Sequence, residues 1–219
     1  MRQNISLAEI SDGHLYKAND MVKADCGGCE GCSQCCRGMG SSIILDPYDV
    51  YRLTTGIGKS MQELLATSVE LNVVDGVILP NLKMQGTGEA CAYLDTEGRC
   101  SIHPYRPGIC RLFPLGRHYE NGGLFYFLQT GECVKENRSK VKVSKWIDTP
   151  ELKRNEQFKL QWHDLLSAMT DRVAGEDEGK QREENLLLLR LFYLLPYEGT
   201  TDFYSQFTER MEHWNEQIG

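Results

Sequence analysis

The chain has 219 residues, 41% hydrophobic and 25% charged, which fits one domain of ordinary size or a small domain with an appendage. Its 31 acids against 24 bases leave a formal charge of −7, and phosphate binding needs a positive field, so nucleic acid is not expected as the main partner. Nine cysteines are too many for a routine intracellular enzyme and too few for a knottin-like scaffold.

Residues 1–9 hold no apolar stretch of the length a secretory signal needs and no small-residue cleavage site, so a cytosolic protein is expected. Thiols stay reduced there, which favours metal ligation or catalytic sulfur over disulfides. The first chemistry-bearing segment is the cysteine run 26–36, treated below. Asp46 and Pro47 then read as an N-cap and first helical residue, with Tyr48, Val50, Tyr51 and Leu53 on the helix and Gly56 at its C-terminal cap. Ser60 is placed to cap a second helix over 61–70. Turn dipeptides mark three hairpin signals: Asp75-Gly76 between Val74 and Val77, Glu97-Gly98 after Ala92-Tyr93-Leu94, and Asn121-Gly122 within 118–127. Residues 101–107 read as a rigid loop, because Pro104 and Pro107 remove donors and restrict their predecessors.

The composition changes near residues 146–149. Thr149, Pro150 and Glu151 read as the start of a helix running through Phe158, Trp162, Leu165, Leu166 and Met169. The next helix contains 186–195, apolar on nearly every side and so expected at the centre of a bundle. With Arg190 inside it, that run falls well short of the ~20 residues that span a bilayer, and no membrane partner is expected. Pro196 and Gly199 end it, and 200–217 make the last helix. Residues 149–219 carry 14 acids and 8 bases, whereas 1–148 carry 17 and 16 together with all nine cysteines. The expected architecture is α+β: an irregular cysteine-rich metal-binding domain over 1–148, with its motif core at 26–133 and short antiparallel hairpins, and a helical segment over 149–219 packed on it.

Five thiols fall within eleven residues: Cys26, Cys29, Cys32, Cys35 and Cys36. Two-residue spacers let the backbone curl so that successive sulfurs converge, and Gly27, Gly28 and Gly31 permit the close approach. Two registers can be drawn. Cys26, Cys29, Cys32 and Cys36 fit the bacterial ferredoxin spacing, although Arg37 stands where ferredoxins have proline. Cys29, Cys32, Cys35 and Cys36 form a CxxCxxCC register that leaves Cys26 spare. Downstream come Cys91, Cys100, Cys110 and Cys133.

The combination of CxxCxxCC with CxYLDxxGxCxIHxxRPxxCRxFP over 91–114 resembles a bacterial cysteine-cluster family described as a zinc- or iron-chelating domain and often labelled an iron-sulfur oxidoreductase. The resemblance covers roughly residues 26–133, about half the chain. It implies that Cys29, Cys32, Cys35, Cys36, Cys91, Cys100 and Cys110 are motif cysteines with Cys133 a downstream eighth, while Cys26 lies outside the motif. Eight thiols divide into two sets of four, which suits one or two iron-sulfur clusters of the 4Fe-4S type or tetrahedral zinc sites. Spacing does not assign which four belong together. Iron-sulfur is favoured over zinc, because the adjacent Cys35 and Cys36 serve one tetrahedral zinc poorly and convergent CxxCxxC loops recur in cluster proteins.

His103 lies between Cys100 and Cys110 and is a weaker ligand candidate; the other four histidines show no ligand spacing. Arg106 and Arg111 flank the last motif cysteine, where a guanidinium suits cluster sulfur, an anionic substrate or a structural clamp on loop carbonyls. The basic stretch Lys135, Arg138, Lys140, Lys142 and Lys145 reads as solvated linker or as a contact for an acidic partner. Glu176, Glu178, Glu183 and Glu184 read as solubilising, and Trp146, Trp162 and Trp214 as packing anchors. No dinucleotide, P-loop, HExxH or GxSxG pattern occurs. Three functions follow: an iron-sulfur protein with a redox or protein partner, a zinc-stapled interaction module, and, from the resemblance alone, an S-adenosylmethionine-dependent protein lysine N-methylase. The sequence shows no glycine-rich methyl-donor loop for the last.

Overall fold

The computed structural model describes residues 6–27, 32–135 and 137–218. A short helix α1 (Leu7–Ile10) and strand β1 (Met21–Asp25) precede a 3-10 turn at Gln34–Cys36. Helix α2 (Pro47–Ile57) starts where expected, with Asp46 accepting from the Asp49 N–H and Asp49 answering in a capping box. Its cap is Gly58, in the left-handed region at φ 71°, and not Gly56. Gly56 lies inside the helix, where the ring of Tyr105 packs on it and leaves no room for a Cβ. Ser60 caps α3 (Met61–Thr67), which ends before Glu70 because Val69 already belongs to a strand.

The Asp75-Gly76 turn joins β2 (Val69–Val74) to β3 (Val77–Leu82) in the expected hairpin. The second hairpin signal resolves differently. Strand β4 (Met84–Gln85) pairs with β5 (Ala90–Cys91), while 92–94 contribute only a bridge from Leu94 to Cys100. The expected loop 101–107 contains a 3-10 turn, His103–Tyr105, and leads into helix α4 (Gly108–Leu112). Asn121-Gly122 turns β6 (Leu115–Glu120) into β7 (Gly123–Leu128). The basic stretch is more than linker: it forms β8 (Ser139–Lys142), which pairs with β1, and α5 (Val143–Ile147).

Helix α6 (Leu152–Val173) begins after Glu151, whose left-handed backbone leaves Thr149 two residues outside the helix. Then come α7 (Glu178–Leu189), a π-turn at Arg190–Leu194, and α8 (Phe203–Ile218). Helices with four separate two-stranded antiparallel sheets make the described residues α+β, as expected.

Two apolar clusters hold the molecule together. The larger joins α2, α3, β2 and β3 to the C-terminal helices. Its aromatic centre includes Phe158 edge-on to Phe207 at 4.7 Å and to Phe203 at 5.2 Å, the geometry that ring quadrupoles favour. Of the apolar run 186–195, Leu188, Leu191, Phe192 and Tyr193 are buried but Leu186 and Leu195 are exposed, so the helix has one wet side. Buried Asn185 accepts from the Ile78 N–H at 2.6 Å and donates to Gly76 O, tying α7 to the β2–β3 turn. Arg210 donates to the carbonyls of Leu191, Leu195 and Pro196, satisfying the end of the π-turn. The smaller cluster packs Val22, Ala24, Leu112, Leu115, Tyr126, Leu128, Val143 and Ile147. Trp162 and Trp214 are buried anchors, and Trp146 packs on the smaller cluster. Of the solubilising glutamates, Glu184 faces Arg172 at 3.4 Å and is largely buried.

Candidate metal centre

Between the two clusters lies a cavity of about 690 Å³. Six of the eight described cysteines line it: Cys32, Cys35, Cys36, Cys91, Cys100 and Cys110. Each reaches the wall on a different support. Cys91 sits on β5, opposite Met84. From there the chain folds back on itself: Asp95 accepts from the N–H groups of Glu97 and Arg99 at 3.0 and 2.8 Å, and the Ser101 N–H donates to Tyr93 O at 2.9 Å. That turn brings Cys100 round to the side of Cys91, and Tyr93 OH, 2.7 Å from Ser68 Oγ, moors it to the end of α3.

Cys110 stands on α4, the most firmly held of the supports. The Gly108 N–H at the start of this helix donates to Asp49 Oδ1 at 2.7 Å, which satisfies one of the donors a helix N-terminus leaves open. Arg52 donates to Pro104 O in the preceding turn, while Tyr105 packs on Gly56. On the far side, Arg111 donates to Ile147 O at 2.9 Å and the Trp146 indole N–H is shared between Leu112 O and Phe113 O. Arg111 is therefore a structural clamp, one of the roles its position suggested. Helix α2 thus reaches the site without contributing a ligand, through Asp49, Arg52 and Gly56.

Of the cysteine run, the described part from Cys32 onward is held by a tight turn. Its 3-10 turn closes through Cys36 N–H to Ser33 O at 3.0 Å and Arg37 N–H to Gln34 O at 3.1 Å. Arg37 bridges Ala90, and the Gly38 N–H donates to Glu89 O, which docks Cys35 and Cys36 beside Cys91. Cys29 lies outside the described residues. Cys26 and Cys133 are described but do not line the cavity, and His103 stands exposed at its rim.

The described cysteines are all free thiols. Burial pushes the Cys91, Cys100 and Cys110 thiols upward, and neighbouring sulfurs add to the rise. Cys36 is held high as hydrogen-bond donor to Cys35, and Cys35 is lowered to about 7 by that bond, with Arg106 helping. These sulfurs share one electrostatic neighbourhood in which several thiolates repel one another, the setting that a bound cation relieves. The six thiols reach the cavity from separate supports: β5, the turn after it, α4 and the cysteine run with its 3-10 turn. The donor set fits a thiophilic metal, since soft thiolates select zinc, copper(I) and iron-sulfur centres.

Sequence reasoning missed the buried charge cluster behind α4. Asp49 is 3% exposed, and Lys159, also buried, is paired with Asp46. A Cβ on Gly108 would lie 3.1 Å from Arg117 Nη2, 3.4 Å from Asp49 Oδ1 and 3.5 Å from Lys159 Nζ, so three charged side chains converge on the start of the helix carrying Cys110. Burial raises Asp49 to about 6 against the opposing pull of the Gly108 N–H and of Arg117. Burial pushes Lys159 down to about 7, while its ion pair with Asp46 favours the charged form. The available signal was a lysine between Phe158 and Trp162 on an otherwise apolar helix face.

A cavity walled by six thiols defines a metal-binding class of protein. Residues 28–133 match the model of the CxxCxxCC family, described as a "putative zinc- or iron-chelating domain". No curated protein and no solved structure matches the chain significantly. The family match and the thiol-lined cavity together support metal binding. Among the described residues no helix is long and apolar enough to cross a membrane.

Proposed function

We propose that the protein holds an iron-sulfur centre in this cavity and serves in electron transfer or a related redox step. The observation that supports the reading is that six described cysteines line one cavity, more thiols than the four that one tetrahedral zinc takes. A mononuclear zinc site gathers four sulfurs about 2.3 Å from one ion, whereas a cluster spans several iron positions and takes thiolates from different walls. When bound, such a cluster supplies one-electron chemistry. The chain's own residues do the rest. Cys91, Cys100 and Cys110 present sulfur from supports fixed by Tyr93, Asp49 and Arg111, and Cys32, Cys35 and Cys36 line the same cavity from the cysteine run. Ile43, Leu82 and Ile102 line the cavity with buried apolar surface, and an apolar surround is one of the features that tune cluster potentials.

The partner this reading requires is an electron donor or acceptor protein, and free thiols suit a reducing, cytosolic setting. Zinc is the second reading, favoured by the family description, and would make the centre a structural staple whose binding energy is folding energy. The lysine N-methylase reading has no feature of this cavity in its favour. Metal and acid-labile sulfide analysis with an absorption spectrum, on protein purified without oxygen, separates the first two. Iron with sulfide and broad visible absorption is expected. Stoichiometric zinc in a colourless protein that unfolds on chelation would falsify the iron-sulfur reading.

A further inference from the structure

The cavity is larger than its metal chemistry requires. Its volume of about 690 Å³ lies within the roughly 300–1,000 Å³ of sites that take small organic ligands. An iron-sulfur cubane brings a handful of atoms, each displacing no more than roughly a water's ~30 Å³, and leaves most of that space.

The rest of the wall has a consistent chemistry. Leu94, Phe113 and Trp146 make it apolar, and among the described residues no aspartate or glutamate lines it. The cations on it are not equivalent. Arg111 is committed to Ile147 O, and Arg99 lies exposed beside Glu97 at 3.6 Å. Arg106 is half-buried, and among the described residues no hydrogen bond or ion pair engages its guanidinium. Its donors have no protein acceptor among the described residues and so are open to an anion that enters the cavity.

The field of Arg106 reaches Cys35 and Cys100, so a metal-thiolate centre takes up part of its charge. Five donors in a planar fork nonetheless leave an edge for a second acceptor. One uncommitted guanidinium matches a single carboxylate in bidentate geometry, whereas a phosphate dianion calls for more positive charge. We propose that the cavity binds a small organic carboxylate beside the metal centre, with Arg106 taking the carboxylate and the wall of Leu94, Phe113 and Trp146 taking its apolar body. The inference rests on the metal-site reading only for what stands next to the ligand.

The test is calorimetric titration of the metal-loaded full chain with benzoate, with hexanoate and with the neutral benzamide, metal content being measured on each sample. A carboxylate is expected to bind roughly tenfold or more tightly than benzamide, the margin of a charge-assisted hydrogen-bonded pair. Arg106→Gln is expected to remove that margin and Arg106→Lys, which keeps charge but not the fork, to recover part of it. Leu94→Trp leaves every thiol and Arg106 in place while filling the apolar end, so it should abolish carboxylate binding with metal retained, even if Arg106→Gln proves unstable. Absence of carboxylate binding to metal-loaded wild-type protein overturns the inference, as does equal affinity for benzoate and benzamide or unchanged binding by Leu94→Trp. Benzoate binding through Arg106 in a chain that takes up no metal upholds it and removes the metal reading instead.

Discussion

Residues 91–113 and residues 32–38 wall the same cavity, yet they are held in place by different means. The later segment is moored at Ser68, Asp49, Arg52, Gly56 and Ile147, so the turns and the helix that carry its cysteines are tied to α2, α3 and α5. Among the described residues, the run has one 3-10 turn and a short docking onto Glu89 and Ala90. The difference teaches where the geometry of the site is decided. The downstream cysteines form a fixed half-shell, and residues 32–38 bring Cys32, Cys35 and Cys36 against it through the bonds to Glu89 and Ala90.

The sharpest way to break the comparison is to exchange single thiols. Cys110→Ser should weaken metal retention by more than about 100-fold, since even outer-shell changes at metal sites cost about 10–100-fold. Competition against a chelator under anaerobic conditions reads this directly, and near-wild-type retention would remove the fixed half-shell from the account.

Asp49 tests whether α2 contributes to the site through buried charge. Its carboxyl titrates at about 6 against an ordinary 3.8. The folded state therefore holds this proton more tightly than the unfolded chain, and stability should fall as pH rises from about 4 to 6, by up to about 3 kcal/mol. Asp49→Asn, whose amide oxygen still accepts from Gly108, should flatten that window in chemical denaturation. Lys159, lowered to about 7, acts in a separate window: its contribution is lost below pH 7 and regained as pH rises above it. A wild-type profile rising between pH 4 and 6 would contradict the assignment.

Gly56→Ala places a methyl group against the Tyr105 ring and should destabilise the chain by about 1–3 kcal/mol, as overpacking does. Combining it with Tyr105→Ala should restore most of that loss, and a thermal melt of the three variants decides the matter. The smallest effect is expected from Cys26→Ser and Cys133→Ser, whose thiols do not line the cavity. Metal retention within a few-fold of wild type fits this arrangement, whereas a loss as large as that of Cys110→Ser would enlarge the site beyond the cavity.

How far the sequence reached depends on the range over which each signal acts. Capping at Asp46 and Ser60 and the turns at Asp75-Gly76 and Asn121-Gly122 are local chemistry, and they appear where the residues place them. Gly56 misled because a cap and a close approach both call for glycine, and only the distant Tyr105 distinguishes them. The pairing of β1 with β8 links Met21 to Lys142, and two buried positions, Val22 and Ala24, are too few for a recognisable strand period. At the site, the cysteines announced themselves by spacing. Asp49 and Lys159 did not, because a cap acid and a helix lysine look the same in sequence whether solvated or buried.

The central claim, a multi-iron centre held by thiols from both segments, is tested most directly by X-ray absorption at the metal edge of anaerobically purified protein. An iron edge with a sulfur-only first shell and an iron-iron scatterer beyond it is the expected result. A zinc edge with four sulfurs at about 2.3 Å and no second metal would contradict it.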